Sequence, residues 1–91
     1  MEHNLEDQLK IWRGYKRIGF WQSTFVRLRD NTLYFSATAD AQPKFQIYIK
    51  LLKVRKVASN KFNIHNGISV IFFKTPNHET QRKWVDTLWA Y

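Results

Sequence analysis

The sequence of 91 residues contains no cysteine and only three glycines and two prolines. Without cysteine there are neither disulfides nor thiolate metal sites, as is usual in a reducing compartment. Three isolated glycines provide no glycine-rich loop that would cradle a phosphate. There is no run of eighteen apolar residues, and the N-terminus is too polar and acidic for a signal peptide. These absences predict one soluble domain of the cytoplasmic type, covering residues 1–91.

Groups suited to acid–base, nucleophilic or metal chemistry are equally scarce. The three histidines, His3, His65 and His78, lack the spacing of a metal-binding motif such as HExxH. Asp30 and Asp40 fall in predicted turns, where aspartate is common for backbone reasons. The few acids elsewhere in the chain supply no obvious carboxylate pair. We therefore expect no enzymatic activity, no bound metal and no cofactor.

Negative charge is almost absent beyond the first residues. The formal net charge is +8, and three of the seven acids (Glu2, Glu6 and Asp7) precede Gln8. From Gln8 onward, fifteen lysines and arginines face the four remaining acids, which gives a balance of +11. Such a surface favours an anionic partner: phospholipid headgroups, nucleic acid or an acidic protein. A solvated basic surface without a dedicated partner stays open as an alternative.

Alternation of apolar and polar residues predicts seven short strands. They cover residues 9–15, 23–29, 32–36, 45–51, 53–57, 61–65 and 68–74, after a polar N-terminal extension over 1–8. Asp30-Asn31 and Asn66-Gly67 predict tight hairpin turns, because these residue types tolerate the left-handed backbone that such turns need. Two cations, a glycine and no clear alternation predict a loop at 16–22, and a second polar loop follows at 37–44.

The last fifteen residues, 77–91, predict one helix. Trp84, Val85, Leu88 and Trp89 share one face at roughly helical spacing. Asn77 is the expected N-cap. A strand-rich body closed by one amphipathic helix is therefore a mainly β, or α+β, architecture.

These segments, in this order, resemble a pleckstrin-homology (PH) domain over residues 10 to 88. The matching segments are FWQSTFVRLRDNTLYFS at 20–36, YIKL at 48–51, KFNI at 61–64 and ETQRKWVDTL at 79–88. In that family a tryptophan at the place of Trp84 is the signature residue of the final helix. The resemblance implies a seven-stranded, bent antiparallel sandwich or partly open barrel, capped at one end by the C-terminal helix.

The resemblance also implies phosphoinositide binding at the open end, through the loop after the first strand. Lys16, with Arg17 beside it, matches the lysine that ends the first strand in the family pattern. The basic triplet that the family places at the start of the second strand reads Gln22-Ser23-Thr24 here, so its cations are missing. Gln22 and Thr24 can still hydrogen-bond a phosphate, and Arg27 is expected to be an exposed cation of the same strand.

Ile18 and Phe20 lie in the same predicted loop and form a candidate membrane wedge. The run WRGYKRIGFWQ resembles the loop of PH domains from oxysterol-binding and ceramide-transfer proteins, in which an apolar wedge enters the membrane. Exposed apolar side chains in a loop are costly unless they have such a destination. The alternative is that Phe20 and Trp21 fold back onto the sheet as part of the core.

Arg55, Lys56 and Lys61 form a second candidate group, an accessory basic site. Some PH domains bind a headgroup on the outer side of the first loop, and Lys56 and Lys61 would suit that position. Each cation near an anionic leaflet contributes about 1 kcal/mol, so even an unspecific patch supports reversible association.

The sequence thus predicts a module that brings a larger protein to an anionic membrane, with phosphoinositides as the expected lipid and a cytoplasmic, peripheral location. The alternative is a protein-interaction module that uses an edge strand or a groove beside the helix, with Trp89 and Tyr91 as contacts. Nucleic acid is not expected, because the aromatic residues follow core alternation and the motifs of sheet-based RNA binders are missing.

Overall fold

The computed structural model describes residues 4–50 and 52–90, which form one seven-stranded antiparallel sheet and one helix. The elements are β1 (Leu5–Tyr15), β2 (Ile18–Arg29), β3 (Thr32–Ser36), β4 (Phe45–Tyr48), β5 (Lys53–Ala58), β6 (Lys61–His65), β7 (Val70–Lys74) and α1 (His78–Trp89). The predicted number, kind and order of elements are confirmed.

The sheet is continuous and open. Its strand order is β4-β3-β2-β1-β7-β6-β5, so β1 lies at the centre and β4 and β5 are the edges. The pair β1–β2 is the longest and runs from Leu5 opposite Leu28 to Tyr15 opposite Ile18. Among the described residues no pairing between β4 and β5 closes the sheet into a barrel.

The core lies on the concave face of the sheet under α1. It consists of the buried side chains of Leu9, Ile11, Val26, Leu28, Leu33, Phe35, Ile49, Phe62, Ile64, Phe73, Trp84, Val85 and Leu88. Phe73 is at its centre, because its ring stacks on Phe62 at 4.8 Å and on Phe35 at 6.0 Å between centroids. Alternation along each strand puts these residues on one face, as period-two patterning requires.

Helix α1 begins and packs as the sequence predicts, with one exception. The side chain of Asn77 accepts a hydrogen bond from the backbone N–H of Thr80 at 2.8 Å, which is N-cap geometry. The Trp84 indole Nε1 donates to Asp7 Oδ2 at 2.8 Å and so links the helix to β1. Trp89 was predicted on the core face but is 56% exposed, and Gln81 is buried instead.

Hydrogen bonds explain why Gln81 is buried and Trp89 is exposed. The Gln81 side-chain amide donates to the carbonyl oxygens of Ala58 at 2.7 Å and Lys61 at 3.2 Å, which satisfies the buried polar backbone of the β5–β6 turn. Trp89 is the last helical residue and reaches over the sheet edge, where its indole N–H donates to the Val54 carbonyl at 3.1 Å.

Strand boundaries differ from the sequence predictions in five strands, and in β5 the difference is a single residue, Ala58. β1 begins at Leu5, so the predicted extension over 1–8 overlaps it, and residues 1–3 lie outside the described part of the chain. β4 ends at Tyr48, before the predicted end at residue 51, which also lies outside the described residues. β7 begins at Val70 because Asn66 Oδ1 accepts from the backbone N–H groups of Ile68 and Ser69, at 2.9 Å each, and holds 66–69 as a turn.

The largest difference is the predicted loop at 16–22. β2 already begins at Ile18, so only Lys16 and Arg17 form the turn, and Lys16 adopts the left-handed backbone with φ of +56°. Every residue from 18 to 22 has a partner in β1. The sequence does not alternate clearly here because this part of the hairpin extends beyond the core. Neither face of the ribbon packs on the core, so apolar and polar residues are not sorted onto separate faces.

Register defines two ends of the sheet. β7 runs antiparallel to β1 with Lys74 opposite Lys10, so the β6–β7 turn at 66–69 points the same way as the β1–β2 turn at Lys16. We call this side the hairpin end. The opposite side, the capped end, carries the Asp30-Asn31 turn, the β5–β6 turn and the first half of α1.

Candidate functional site

The β1–β2 hairpin projects beyond the rest of the sheet. Only Lys10 and Ile11 of β1 pair with β7, so residues 12–21 form a two-stranded ribbon. Trp12 lies directly opposite Trp21, and the two rings meet edge to face at 5.3 Å between centroids. A Cβ atom at Gly19 would clash with the Arg13 carbonyl oxygen and with Gly14 Cα of β1, and would come within 2.9 Å of Trp12 Cζ2, so glycine allows the close approach of the two backbones and of the indole.

The convex face of this ribbon borders a groove, which we call the outer groove. Its volume is about 700 Å³, within the range of small-molecule sites. Lys16, Arg17 and Lys61 supply its cations. Its other lining residues, Trp12, Gly14, Tyr15, Trp21, Val57, Val70 and Phe72, make it mainly apolar. The structure therefore brings Lys16 and Arg17 together with Lys61, one residue of the predicted accessory site.

Lysines converge on Trp21 at the inner end of the outer groove. The Nζ atoms of Lys61 and Lys74 lie 5.8 and 5.9 Å from the centroid of its indole ring, within cation–π range. Lys74 is directly opposite Lys61 on one side and Lys10 on the other. Like charges in such positions repel one another and raise the local positive potential.

Acidic residues do not neutralise this charge. Within the described ranges 4–50 and 52–90, all ion pairs involve Glu6, Asp7 or Asp86. Glu6 and Asp7 lie in β1 on the far side of Lys10 from the turn, and Asp86 lies in α1. The outer groove is therefore a cationic surface whose counter-charge has to come from a partner.

The concave face of the same ribbon offers much less space. Here Arg13 Nε donates to Gln22 Oε1 at 2.8 Å, and the Arg13 guanidinium carbon lies 5.8 Å from the centroid of the Phe45 ring. The cavity beside Gln22, Thr24 and Lys44 measures only about 50 Å³. We call it the inner mouth. It is several times smaller than the roughly 300 Å³ at which ligand pockets begin.

Gln22, Thr24 and Arg27, predicted to act with Lys16, lie elsewhere. Gln22 and Thr24 line the inner mouth, and the Thr24 hydroxyl donates to the Gln22 carbonyl of its own strand at 3.3 Å. Arg27 pairs with Glu6 at 2.9 Å and donates to the Ala39 carbonyl at 3.4 Å. The structure thus does not place these three residues with Lys16 and Arg17.

The predicted accessory site is also divided. Lys61 lies in the outer groove, whereas the Lys56 ammonium lies over the Trp89 ring at 5.3 Å from its centroid. Arg55 borders a different pocket of about 300 Å³ beside the β6–β7 turn, together with His65. These three cations therefore serve three separate surfaces.

Apolar side chains crowd the β1–β2 turn without packing. Ile18 is 84% exposed, Phe20 is 61% exposed and Tyr15, directly opposite Ile18, is 75% exposed. We call these three residues the apolar tip. The alternative that Phe20 folds back into the core is not what the structure has. Trp21 is half-buried against Trp12, outside the main core.

Sequence reasoning missed Lys74, Tyr15 and the Trp12–Trp21 pair. Lys74 joins the site only because β7 is the neighbour of β1, a non-local pairing that no local pattern reveals. For Tyr15 a signal was present. The spacing from Gly14 to Gly19 would have allowed a hairpin with a two-residue turn, which places Tyr15 opposite Ile18.

The described part of the chain has no helix with the length and apolar character needed to cross a membrane. It also has no group of three or more histidine, cysteine, aspartate or glutamate side chains that would hold a metal ion.

Solved structures similar to this chain are PH domains. The PH domain of human TBC1 domain family member 2 protein matches with 25% identity and a TM-score of 0.81, over 94% of this chain and 77% of that one. The C-terminal PH domain of pleckstrin, in complex with D-myo-Ins(1,2,3,5,6)P5, matches with 18% identity and a TM-score of 0.81, over 94% and 91%. The Slm1 PH domain, in complex with inositol-4-phosphate, matches with 22% identity and a TM-score of 0.79, over 92% and 91%.

No protein-family model matches the chain, and no curated protein sequence does. The likeness is therefore one of structure, and it is consistent over nearly the whole chain. The chain has the PH fold, as the sequence resemblance predicted. PH domains are non-enzymatic modules, in agreement with the expectation that this chain is not an enzyme.

Proposed function

We propose that this PH-fold domain holds a protein at an anionic membrane surface, reversibly and from the cytoplasmic side, by binding phosphoinositides or other anionic phospholipids. One observation carries the proposal: a cationic groove of about 700 Å³ and three exposed apolar side chains meet at the same protruding hairpin turn. A bilayer offers both partners at once, because anionic headgroups lie directly above hydrocarbon.

Headgroup binding is assigned to the outer groove. Lys16 and Arg17 at the turn meet a phosphate first, and the guanidinium of Arg17 can contact two phosphate oxygens at once. Lys61 and Lys74 act from the inner end of the groove, where the Trp21 ring lies beside both ammonium groups. The bound inositol phosphates of the pleckstrin and Slm1 domains support this ligand class for the fold.

The inner mouth is not assigned a headgroup. Its cavity of about 50 Å³ is too small, and the guanidinium of Arg13 is already engaged by Gln22. Gln22 and Thr24 stand where the family triplet has cations. Neither side chain is charged, which agrees with a headgroup site elsewhere than the inner mouth. We therefore expect attraction to several anionic lipids, with a phosphoinositide preferred through its higher charge.

Apolar insertion is assigned to the apolar tip. Ile18 and Phe20 act as the wedge predicted from the sequence, and Tyr15 joins them on the same face of the ribbon. Transfer of an aliphatic side chain out of water contributes about 1.5–3 kcal/mol when burial is complete. Two apolar side chains are thus worth as much as several cations, and their contribution does not weaken with salt.

Vesicle sedimentation tests the proposal. The wild-type domain is mixed with phosphatidylcholine vesicles alone, with added phosphatidylserine, or with added phosphoinositide, at low and at high salt. Four engaged cations contribute about 4 kcal/mol, roughly a thousandfold in partition, and most of this is lost as the Debye length falls from about 10 Å to about 3 Å. Absence of sedimentation with every anionic vesicle at low salt would contradict the proposal.

Protein binding is the second candidate function, favoured by the exposed Trp89 at the end of α1. Its indole N–H is bound to the Val54 carbonyl and its ring carries Lys56, which gives a rigid, cation-bearing aromatic surface. Tyr91, the other predicted contact, lies outside the described residues. Loss of vesicle binding in the test above would promote this candidate.

A further inference from the structure

A second turn lies at the same end of the sheet as the apolar tip. It is the β6–β7 turn at 66–69, and Ile68 within it is 94% exposed, the highest value among the large apolar side chains described. Nothing within the established likeness or the proposed function accounts for this residue. A side chain so exposed contributes nothing to the core, so its place beside the outer groove and its cationic neighbours decide what it can contact.

Register places this turn at the same end of the sheet as the first one. Lys74 is opposite Lys10 and Phe73 is opposite Ile11, so the turn that precedes β7 lies on the same side of these pairs as the β1–β2 turn at Lys16. The β1–β7 ladder ends at Ile11, and beyond it the outer groove lies between the two hairpins. Val70 lines both the outer groove and the pocket beside the second turn, so the two turns border one continuous surface.

The second turn is also held in shape. Asn66 Oδ1 accepts hydrogen bonds from the N–H groups of Ile68 and Ser69, at 2.9 Å each. Gly67 has φ of +92°, a conformation that favours glycine, and no atom lies within 4 Å of where its Cβ would be. Ile68 is thus presented on an ordered and otherwise open turn, which lowers the entropy lost on insertion.

Charges beside the second turn repeat the pattern of the first. Arg55 and His65 line the pocket next to Ile68, and Lys53 is directly opposite His65 in the sheet. The sequence between Ala41 and His78 contains seven lysines and arginines and no acid. An apolar side chain beyond a group of cations suits a surface with anionic headgroups outside and hydrocarbon beneath.

We propose that the β6–β7 turn is a second membrane-inserting prong, with Ile68 entering the bilayer beside the apolar tip. This rests on the proposed function, because it names how the same end of the domain meets the same membrane. Two separate contacts restrict rotation of the domain about the axes perpendicular to the line that joins them, which a single contact leaves free. The partner is the lipid bilayer itself, and no protein is required.

Single-cysteine labelling tests the position of Ile68 in the membrane. The chain has no cysteine, so Ile68→Cys, Ile18→Cys and Ser59→Cys each carry one thiol for an environment-sensitive fluorophore. Ser59 lies in the β5–β6 turn at the capped end and serves as the control. On phosphatidylcholine vesicles with phosphatidylserine and phosphoinositide, labels at 68 and 18 should shift to the blue and be quenched by brominated acyl chains, whereas the label at 59 should not change.

The outcomes separate this inference from the proposed function. If the label at 68 stays in a water-like environment while the protein sediments with vesicles, the second prong does not exist and the proposed function stands. If the unlabelled protein does not sediment at all, both fail. A lipid-embedded label at 59 would also overturn the inference, because the capped end would then face the membrane.

An unlabelled pair of variants gives an independent measure. Ile68→Ser should lower vesicle partition about tenfold, since most of one aliphatic side chain no longer leaves water. Tyr48→Ser removes another exposed large side chain, at the capped end opposite Thr32, and should leave partition unchanged. Equal partition of wild type and Ile68→Ser would contradict the inference. Neither change touches the core, so both variants should keep the wild-type melting temperature.

Discussion

The two ends of the sheet treat large apolar side chains in opposite ways. At the capped end Trp84 is buried and is further held by its hydrogen bond to Asp7. At the hairpin end Ile18, Phe20 and Ile68 project into solvent on ordered turns. Large apolar side chains therefore stabilise the fold where they are buried and contribute little to its stability where they are exposed. Stability and membrane binding should depend on different residues.

Charge separates the two ends as well. Glu6 and Asp7 in the first half of β1 pair with Arg27 and Lys83, so the charges of these two cations are balanced. Lys16, Arg17, Lys61 and Lys74 form no ion pair among the described residues. Exposed ion pairs contribute less than about 1 kcal/mol to folding, so these four cations lose little folding free energy by having no acidic partner among the described residues. They leave the surface of the hairpin end positive.

The largest expected effect is on stability at the capped end. Trp84→Ala should lower the free energy of unfolding by about 3–5 kcal/mol, because it leaves a cavity and removes the donor to Asp7. Trp89→Ala is the matched control on the same helix and should cost less than about 1 kcal/mol, since that residue is exposed. Denaturant titration measures both. Similar losses for the two variants would mean that Trp89 also closes the core.

Removal of the wedge should have the next largest effect, on binding only. Ile18→Ser with Phe20→Ser should weaken vesicle partition by about 3 kcal/mol, roughly a hundredfold, with no change in melting temperature. The loss should be the same at low and at high salt, because transfer of apolar side chains is not screened. A loss that disappears at high salt would instead assign the effect to headgroup electrostatics.

The inner end of the outer groove should contribute somewhat less. Lys61→Met with Lys74→Met keeps the aliphatic stems beside Trp21 but removes both charges, and should lower partition by about 2 kcal/mol, roughly thirtyfold at low salt. Arg29→Met with Lys50→Met removes two cations near the Asp30-Asn31 turn and is the matched control. If the control loses as much as the groove variant, net charge and not position governs binding.

Local patterns in the sequence predicted much of this architecture. Alternation located all seven strands, Asn77 was identified as the N-cap, and the Asp30-Asn31 turn falls where predicted. The predicted turn at Asn66-Gly67 is present but extends to residue 69. The start of β2 was missed because the ribbon from Ile18 to Gln22 lies beyond the core, so no buried face imposes the period of two. Pairing with β1 makes these residues a strand although their sequence pattern does not predict one.

The candidate site was predicted less completely than the fold, because pairing between strands that are distant in sequence brings its residues together. Lys16 and Arg17 are adjacent in sequence and were found, whereas Lys74 becomes their neighbour only through the β1–β7 pairing. Gln22, Thr24 and Arg27 were placed with them by analogy along one strand. Arg27 is ten residues along the chain from Arg17 of the turn, which is about 30 Å for an extended strand. Non-local register, which a local pattern does not contain, decided which cations share a surface.

The most direct measurement compares the two faces of the β1–β2 ribbon in one vesicle-binding titration. Lys16→Gln with Arg17→Gln removes two charges from the outer groove, and Arg13→Gln with Lys44→Gln removes two from the inner mouth. On anionic vesicles at low salt the first pair should lose about thirtyfold in partition and the second less than about threefold. The reverse order, with the larger loss from Arg13 and Lys44, would show that the headgroup binds at the inner mouth and would contradict this account.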